Sequence, residues 1–340
     1  MSESILKLEG DSFEAIADTR ELTHEQWLEL RRTGIGGSDS GAVMRMNPYS
    51  SRFMVALDKY GKIPPKEETD AMRHGKRMEP ILRREFVDIF RESTGLTVEV
   101  YESPWMYRSK IYPWMIANID GVIKLPPEGY TTPEGIHLEG TGGMECKAVS
   151  FGKEWEHDGV PDNYYCQVTH YMTVLGFKWI MMPVLIINRI EYRVVPLNTE
   201  FQTKLIEAEK EFWEDIILKG EIPAPDGVDG EDDYLLLLYP TQTETIAHLP
   251  VDLEPLGHRY LDLVEAENAI KAEKEQIKAR YKLAMGNSRT GMTGVIEAVW
   301  SRYQRKQFDR EVFDADYPGV YEKYSWLVSA DRFTIKRRAL

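Results

Sequence analysis

The chain has 340 residues, 42% of them hydrophobic, and a formal charge of −14. That length and apolar content suffice for one large core or two moderate ones and exclude a disordered chain. The opening Met1-Ser2-Glu3-Ser4 is acidic and polar, and no run approaches the roughly 18 apolar residues of a membrane span, so a cytoplasmic protein with no membrane partner is expected.

Two cysteines, Cys146 and Cys166, are too few for a four-thiolate metal site and are expected to be reduced core residues. The acidic balance requires any nucleic-acid contact to come from a local basic groove.

In chain order, Thr23 with Gln26 three residues on has the form of a capping box. It opens a helix with Trp27, Leu28 and Leu30 on its apolar side, ending near Arg31-Arg32. The glycine-rich stretch Thr33 to Met44 follows, with Ser38 or Asp39 expected to cap a second short helix. Such a turn presents free backbone N–H groups, and with Arg31 beside it suits a phosphate; on the turn alone, a plain helix–turn–helix is the better reading. Trp27-x-x-x-Arg31, Gly34-Ile35-Gly36-Gly37-Ser38-Asp39 and Asn47-Pro48-Tyr49-Ser50 together resemble the opening motif of the YqaJ-like viral recombinase family, relatives of phage lambda exonuclease. The resemblance extends from about Trp27 to about Ile335, weakest from Gly220 to Lys282, and implies that Arg31 and Ser38 hold the 5′ end of a DNA strand.

From Thr69 to about Phe90, Met72, Met78, Ile81, Leu82, Phe86 and Ile89 mark a long amphipathic helix. Pro80 lacks the N–H the helical ladder needs, so a helix start or kink is expected beside Glu79. Gly75 through Glu79-Pro80 resembles the family's Gly-x-x-x-Glu-Pro motif, and that resemblance alone marks Glu79 as a metal-site carboxylate. Thr97 to Tyr101 reads as a strand, with Trp105 and Trp114 packing over the sheet.

Ala117 to Ile123 suggests a strand running into a turn at Asp120-Gly121, and Met144 to Ala148 a second strand beyond a loop or irregular hairpin from Leu125 to Gly142. On a strand, residues two apart share a face, so Glu145 and Lys147 project together while Met144 and Cys146 point into the core. Paired carboxylates repel unless a divalent cation sits between them, and oxygen ligands favour Mg2+ or Mn2+ over zinc. A lysine beside that cation can hold or deprotonate a water. Either piece alone is commonly structural; together, Asp120…Glu145-x-Lys147 resembles the catalytic core of the PD-(D/E)XK nuclease superfamily.

Val149 to Trp155 is expected to loop over the site, and a helix runs from Pro161 to about Gly176, where the resemblance places Gln167 in the site and Tyr164 beside it. Phe177 to Ile187 and Glu191 to Val195 read as a hairpin, covered by a helix from Glu200 to Lys219. Pro223 to Asp233 marks a boundary, followed by a strand-like Leu235 to Leu238 and a charged helix from Glu254 to Met285. The helix has a thin apolar seam with gaps at Glu267 and Lys274, as in an extended arm. Gly294 to Arg302 alternates like a strand; the basic residues around Trp300, Tyr303 and Phe308 and in Phe333 to Arg338 fit a DNA groove or a twisted two-stranded sheet equally.

The expected fold is α/β (α+β): a PD-(D/E)XK nuclease fold with a central mixed β-sheet flanked by helices, a core over 1–222, and an extension over 223–340 made of a helical arm and small β region. The expected activity is that of a Mg2+-dependent exonuclease on double-stranded DNA ends, leaving 3′ single strands for phage-type recombination; its 5′→3′ polarity rests on the resemblance. Asp120, Glu145, the backbone carbonyl of Cys146 and Glu79 would hold Mg2+, with Mn2+ able to substitute. Lys147 would position the water, Gln167 would support the site, and Arg31, Ser38 and Tyr164 would meet DNA. The resemblance also implies a homo-oligomer, a ring-shaped trimer, and a single-strand annealing partner. Rival readings are an endonuclease of the same superfamily, a glycoside hydrolase using paired acids, and an inactive DNA-binding module.

Overall fold

The computed structural model describes residues 4–64, 68–149, 155, 159–326 and 335, and its contacts divide the chain into Met1–Gln242 and Thr243–Leu340. In the first unit the elements are β1 (Phe13–Asp18), α1 (His24–Arg32), β2 (Ile35–Gly36), α2 (Gly37–Val43), α3 (Arg52–Lys59) and α4 (Asp70–Thr94). Then come β3 (Glu99–Tyr101), β4 (Trp105–Ser109), β5 (Met115–Asn118), β6 (Gly121–Lys124), β7 (Tyr130–Thr131), β8 (His137–Leu138), β9 (Thr141–Met144) and β10 (Lys147–Val149). The unit closes with α5 (Asp162–Leu175), β11 (Trp179–Ile186), β12 (Arg189–Pro196), α6 (Thr199–Glu211) and α7 (Glu231–Leu238).

This is a mixed α/β fold. One sheet runs β1-β4-β5-β2; the other runs β10-β11-β9-β6-β3, with β12 also paired to β11. Strand β11, a nearly continuous apolar run, is buried on both faces because helices cover both. Trp179 and Met181 meet Leu82, Phe86 and Phe90 of α4, while Ile180, Met182 and Val184 meet Val168, Met172 and Val174 of α5. The alternation of one strand therefore fixes the two helices that flank the site.

Helix α4 starts at the Thr69 cap, which accepts from the Met72 N–H, and ends on Gly95 in the left-handed conformation. Pro80 lies inside it and not at its start. The buried stripe Leu82-Phe86-Phe90 anchors the helix beyond the proline and outweighs the one missing ladder bond.

Leu235 to Leu238 is helix, not strand. The Glu231 carboxylate accepts the N–H groups of Asp226, Gly227 and Val228 at 3.0, 2.7 and 3.1 Å, gathering the turn from which α7 starts. Tyr234, Leu235 and Leu238 then pack on Phe53, Met54 and Leu57 of α3. This packing lies within the first unit, which runs to Gln242.

The second unit contains α8 (Glu254–Met285), the antiparallel hairpin of β13 (Thr290–Met292) and β14 (Glu297–Val299), α9 (Arg310–Asp316) and α10 (Val320–Tyr324). The expected strand Gly294 to Arg302 is confined to β14, since Gly294 lies in the hairpin turn. Of Phe333 to Arg338 only Ile335 is among the described residues. No helix among the described residues is long and apolar enough to cross a membrane.

Candidate active site

The site begins with a failure of strand pairing. β9 and β10 run parallel to β11 in one continuous register, with Met144 opposite Met181 and Lys147 opposite Val184. The Glu145 N–H donates to the Met181 carbonyl at 3.2 Å. The next ladder bond would come from the N–H of residue 183 to the Glu145 carbonyl, and residue 183 is proline. The pairing lapses over Glu145-Cys146 without an inserted residue.

On the other edge, β6 accompanies β9 only as far as the pair Gly121–Met144. Upstream of Gly121 the chain crosses to β5 in the other sheet, so Asp120 sits where the two sheets part. The Cys146 N–H, without a strand neighbour there, donates to Asp120 Oδ2 at 2.8 Å. The Cys146 carbonyl leaves an extended strand on that same edge. Arg83 Nη1 of α4 secures the turn by donating to the Asp120 carbonyl at 2.9 Å.

Met144 and Cys146 are buried in the cluster under α4, as the alternation predicts. Glu145 and Lys147 point to the opposite face, where α5 supplies Gln167. Lys147 Nζ donates to Glu145 Oε1 at 2.7 Å and to Gln167 Oε1 at 3.0 Å. Gln167 Nε2 donates to the same Glu145 oxygen at 2.7 Å and to the Tyr171 hydroxyl at 3.1 Å. The Lys147 ammonium lies 4.5 Å from the centre of the Tyr164 ring. Glu79 approaches from α4, its carbonyl 3.9 Å from Cys146 Sγ.

Burial and the charge of Asp120 push the Glu145 carboxyl up to about 8, and the same two causes push Glu79 up to about 7. Burial also raises Asp120, against the pull of Lys147 and the Cys146 N–H. For Lys147, burial favours the neutral amine, but Glu145 and Asp120 outweigh it and hold the group cationic. Glu145 Oε1 takes both donors while Glu145 Oε2 is buried with no hydrogen-bond partner among the described residues.

Mutually repelling carboxylates and an orphaned oxygen are a donor set suited to a hard divalent cation. Asp120, Glu145 and the Cys146 carbonyl offer donors of that kind, while among the described residues no group of three acid, histidine or cysteine side chains is placed to hold a metal ion.

Beside this cluster lies a second one, built by α1, β2 and α2. Arg31 Nη2 donates to Ser38 Oγ and, at 2.8 Å, to Asp39 Oδ1. Asp39 Oδ2 accepts from Lys59 Nζ at 2.7 Å and from the Gly36 N–H at 3.0 Å. Against the penalty of burial, Lys59 and Arg31 hold the Asp39 carboxyl far below its usual range. The cap of α2 is Gly36, not Ser38 or Asp39; Asp39 instead reaches back to the cap N–H from the third helical position.

Arg31, Ser38, Trp27, Asn118 and Tyr171 line a cavity of about 110 Å3. Gly37 is required at its wall, since a Cβ there would lie 2.4 Å from the Tyr171 ring. Tyr171 thus touches both clusters.

The structure places Glu145, Lys147 and Gln167 in one hydrogen-bonded group with Tyr164 against Lys147, Asp120 beside it on the Cys146 N–H, and Arg31 with Ser38 in the neighbouring cluster. It adds Tyr171, Lys59, Arg83 and Pro183, of which only Tyr171 had a local signal, the four-residue helical spacing from Gln167. Between Val149 and Trp155, where a covering loop is expected, the residues lie outside the described set.

Residues 26–178 match the model of the YqaJ-like viral recombinase domain. Over 333 residues the chain is 29% identical to the uncharacterized protein YqaJ of Bacillus subtilis strain 168, covering 95% of this chain and 97% of that one. Among solved structures, an alkaline exonuclease from Laribacter hongkongensis superposes with a TM-score of 0.41 at 16% identity, covering 62% of this chain and 95% of that one. A phage-related exonuclease from Haemophilus somnus 129PT gives a TM-score of 0.37 at 11% identity, covering 57% and 100%.

Proposed function

We propose, on the premise that residues 26–178 are a YqaJ-like viral recombinase domain, that the chain is a Mg2+-dependent exonuclease that digests duplex DNA from its ends in the 5′→3′ direction. The observation that carries the reading is the place of Tyr171: its ring walls the cavity of Arg31 and Ser38, and its hydroxyl accepts from Gln167 beside Glu145 and Lys147. A terminal phosphate held in that cavity would lie one side chain away from the carboxylates.

A divalent cation, Mg2+ or Mn2+, bound by Asp120, Glu145, Glu79 and the Cys146 carbonyl would supply a Lewis acid beside the phosphodiester. Gln167 and Lys147 occupy Glu145 Oε1, which leaves Oε2 for the cation. Lys147, hydrogen-bonded to Glu145 and Gln167, orients the attacking water and offsets charge on the phosphate. Arg31 and Ser38 grip the 5′ phosphate, with Asp39 and Lys59 holding Arg31 in place. The Tyr164 ring packs on Lys147 and offers a face to the strand. The 3′ single strand left behind would pass to a single-strand annealing protein, and the enzyme would work as a homo-oligomer, by resemblance a trimer.

The test is digestion of a linear duplex with and without a 5′ phosphate, in Mg2+ and in EDTA, beside covalently closed plasmid. Expected are loss of linear DNA only, release of mononucleotides from the 5′ end, faster digestion with the phosphate, and a phosphate preference reduced about ten-fold in Arg31→Lys, which cannot form the same planar contacts. Cleavage of closed plasmid would replace this reading with an endonuclease, and no cleavage in Mg2+ or Mn2+ with a binding module.

A further inference from the structure

Basic residues are spread unevenly along this acidic chain. Asp and Glu outnumber Lys and Arg by 56 to 42, yet the segment from Gln276 to Lys306 holds seven bases and one acid, Glu297. The seven are Lys278, Arg280, Lys282, Arg289, Arg302, Arg305 and Lys306. Among the described residues only Lys278 of these has a carboxylate partner, Glu275 at 3.0 Å. Arg310, just beyond the segment, pairs with both Asp314 and Glu322. A chain so rich in acid has no shortage of partners, so the six unpaired cations reflect where they are placed. The negative end of the α8 dipole accounts for Lys282 in its last turn, but not for Arg302, Arg305 and Lys306 beyond β14.

The second unit gathers part of this charge at one groove. Lys278, Tyr281 and Lys282 of α8 line one side of a space of about 600 Å3, and Val299, Trp300 and Ser301 line the other. Lys282 Nζ lies 5.2 Å and Arg302 Cζ 4.2 Å from the centre of the Trp300 ring. The wall between the cations is apolar and open: Val299 is 60% exposed, and Tyr303, just past the groove, 83%. Positive charge alone would suit any polyanion. Cations set against aromatic rings and an apolar wall suit one that carries flat rings between its charges, which is a single nucleic-acid strand. In a duplex the base faces are stacked inside, and only phosphates and base edges are offered. A run of acidic side chains supplies the charge without the rings.

We propose that this groove of the second unit binds single-stranded nucleic acid, with phosphates on Lys282 and Arg302 and a base against the wall of Tyr281, Val299 and Trp300. It shares no residue with the cavity of Arg31 and Ser38, and the inference stands whether or not the first unit is a nuclease.

Photo-cross-linking of the full chain in EDTA to an oligo-dT of about 20 nucleotides carrying iodouracil tests where a strand sits. The expected cross-link falls between Tyr281 and Tyr303, with almost none there when the same base is held in a duplex. In anisotropy titrations, Lys282→Glu with Arg302→Glu weakens strand binding about ten-fold and flattens the slope of log Kd against log salt by about 1.4, the share of two phosphates. Trp300→Ala weakens binding about ten-fold with the slope kept, and Trp300→Phe restores it to within about three-fold. Absent cross-links, or cross-links confined to the first unit, would overturn the proposal. So would equal cross-linking by the duplex, or a charge-reversed chain with the original affinity and slope. Displacement of the strand by polyglutamate as readily as by unlabelled oligo-dT would mean a site for acidic peptide and would overturn it too.

Discussion

Two buried glutamates, one on each side of α5, have opposite surroundings. Glu209 is fully buried: its Oε1 accepts from Ser40 Oγ at 2.8 Å and faces His170 Nδ1 at 2.8 Å, and its Oε2 lies 3.1 Å from the same nitrogen. His170 Nε2 is closed in turn by the Ile116 carbonyl at 2.8 Å. Burial works against the charged imidazolium, but Glu209 outweighs it and raises the His170 pKa. This cluster ties α2, α5, α6 and β5 together and leaves no group of the pair open. Glu145 is almost as buried, yet one of its oxygens is doubly used and the other has no partner among the described residues. Burial therefore does not distinguish the two carboxylates; the unfilled lone pair does.

The sharpest test of that contrast is Lys147→Ala, which should lower DNA cleavage by about 10^3-fold or more while leaving binding to duplex ends intact. Cleavage that survives the change would remove Lys147 from the reaction. At the other pole, Glu209→Ala leaves His170 buried without its counter-charge. Urea unfolding should show a loss of about 3–5 kcal/mol, with the cleavage rate of the remaining folded protein little altered. An unchanged unfolding midpoint would mean that the closed network is not structural.

The smallest effect is on thermal stability. An unfolded glutamate titrates near about 4.3, whereas folded Glu145 titrates at about 8. Between those values the folded chain holds the extra proton, so its stability in EDTA falls as pH rises and the loss is complete above the folded value. Glu79, Asp120 and His170, also raised, act in the same direction, so the Glu145 share is read as the difference from Glu145→Gln, whose Tm should fall less. Millimolar Mg2+ should raise the wild-type Tm most at pH 8 and above and leave Glu145→Gln nearly unmoved. Equal Mg2+ responses in the two proteins would show that Glu145 takes up no cation.

Much of the site was legible because strand alternation and charge spacing are local. Asp120, Glu145 and Lys147 follow from two short strands, and Met144 and Cys146 lie in the core as a period of two requires. Glu79 and Gln167 were reached only through family resemblance, since each is a lone polar residue on a helix. Pro183 was invisible for a different reason: its effect lies in a hydrogen bond it cannot make to a residue far away in the chain. Leu235 to Leu238 misled because four apolar residues fit a strand as well as a helix, and the choice was made by Glu231 and the surface of α3. The limits of α8 were read correctly because a long helix repeats its own evidence.

The passage of the chain from one sheet to the other at Ile119-Asp120 has a mechanical consequence. Asp120 hangs from the end of one sheet's strand and Glu145 from the lapse in the other's, so the spacing of their carboxylates is fixed by where the two sheets meet and by neither sheet alone.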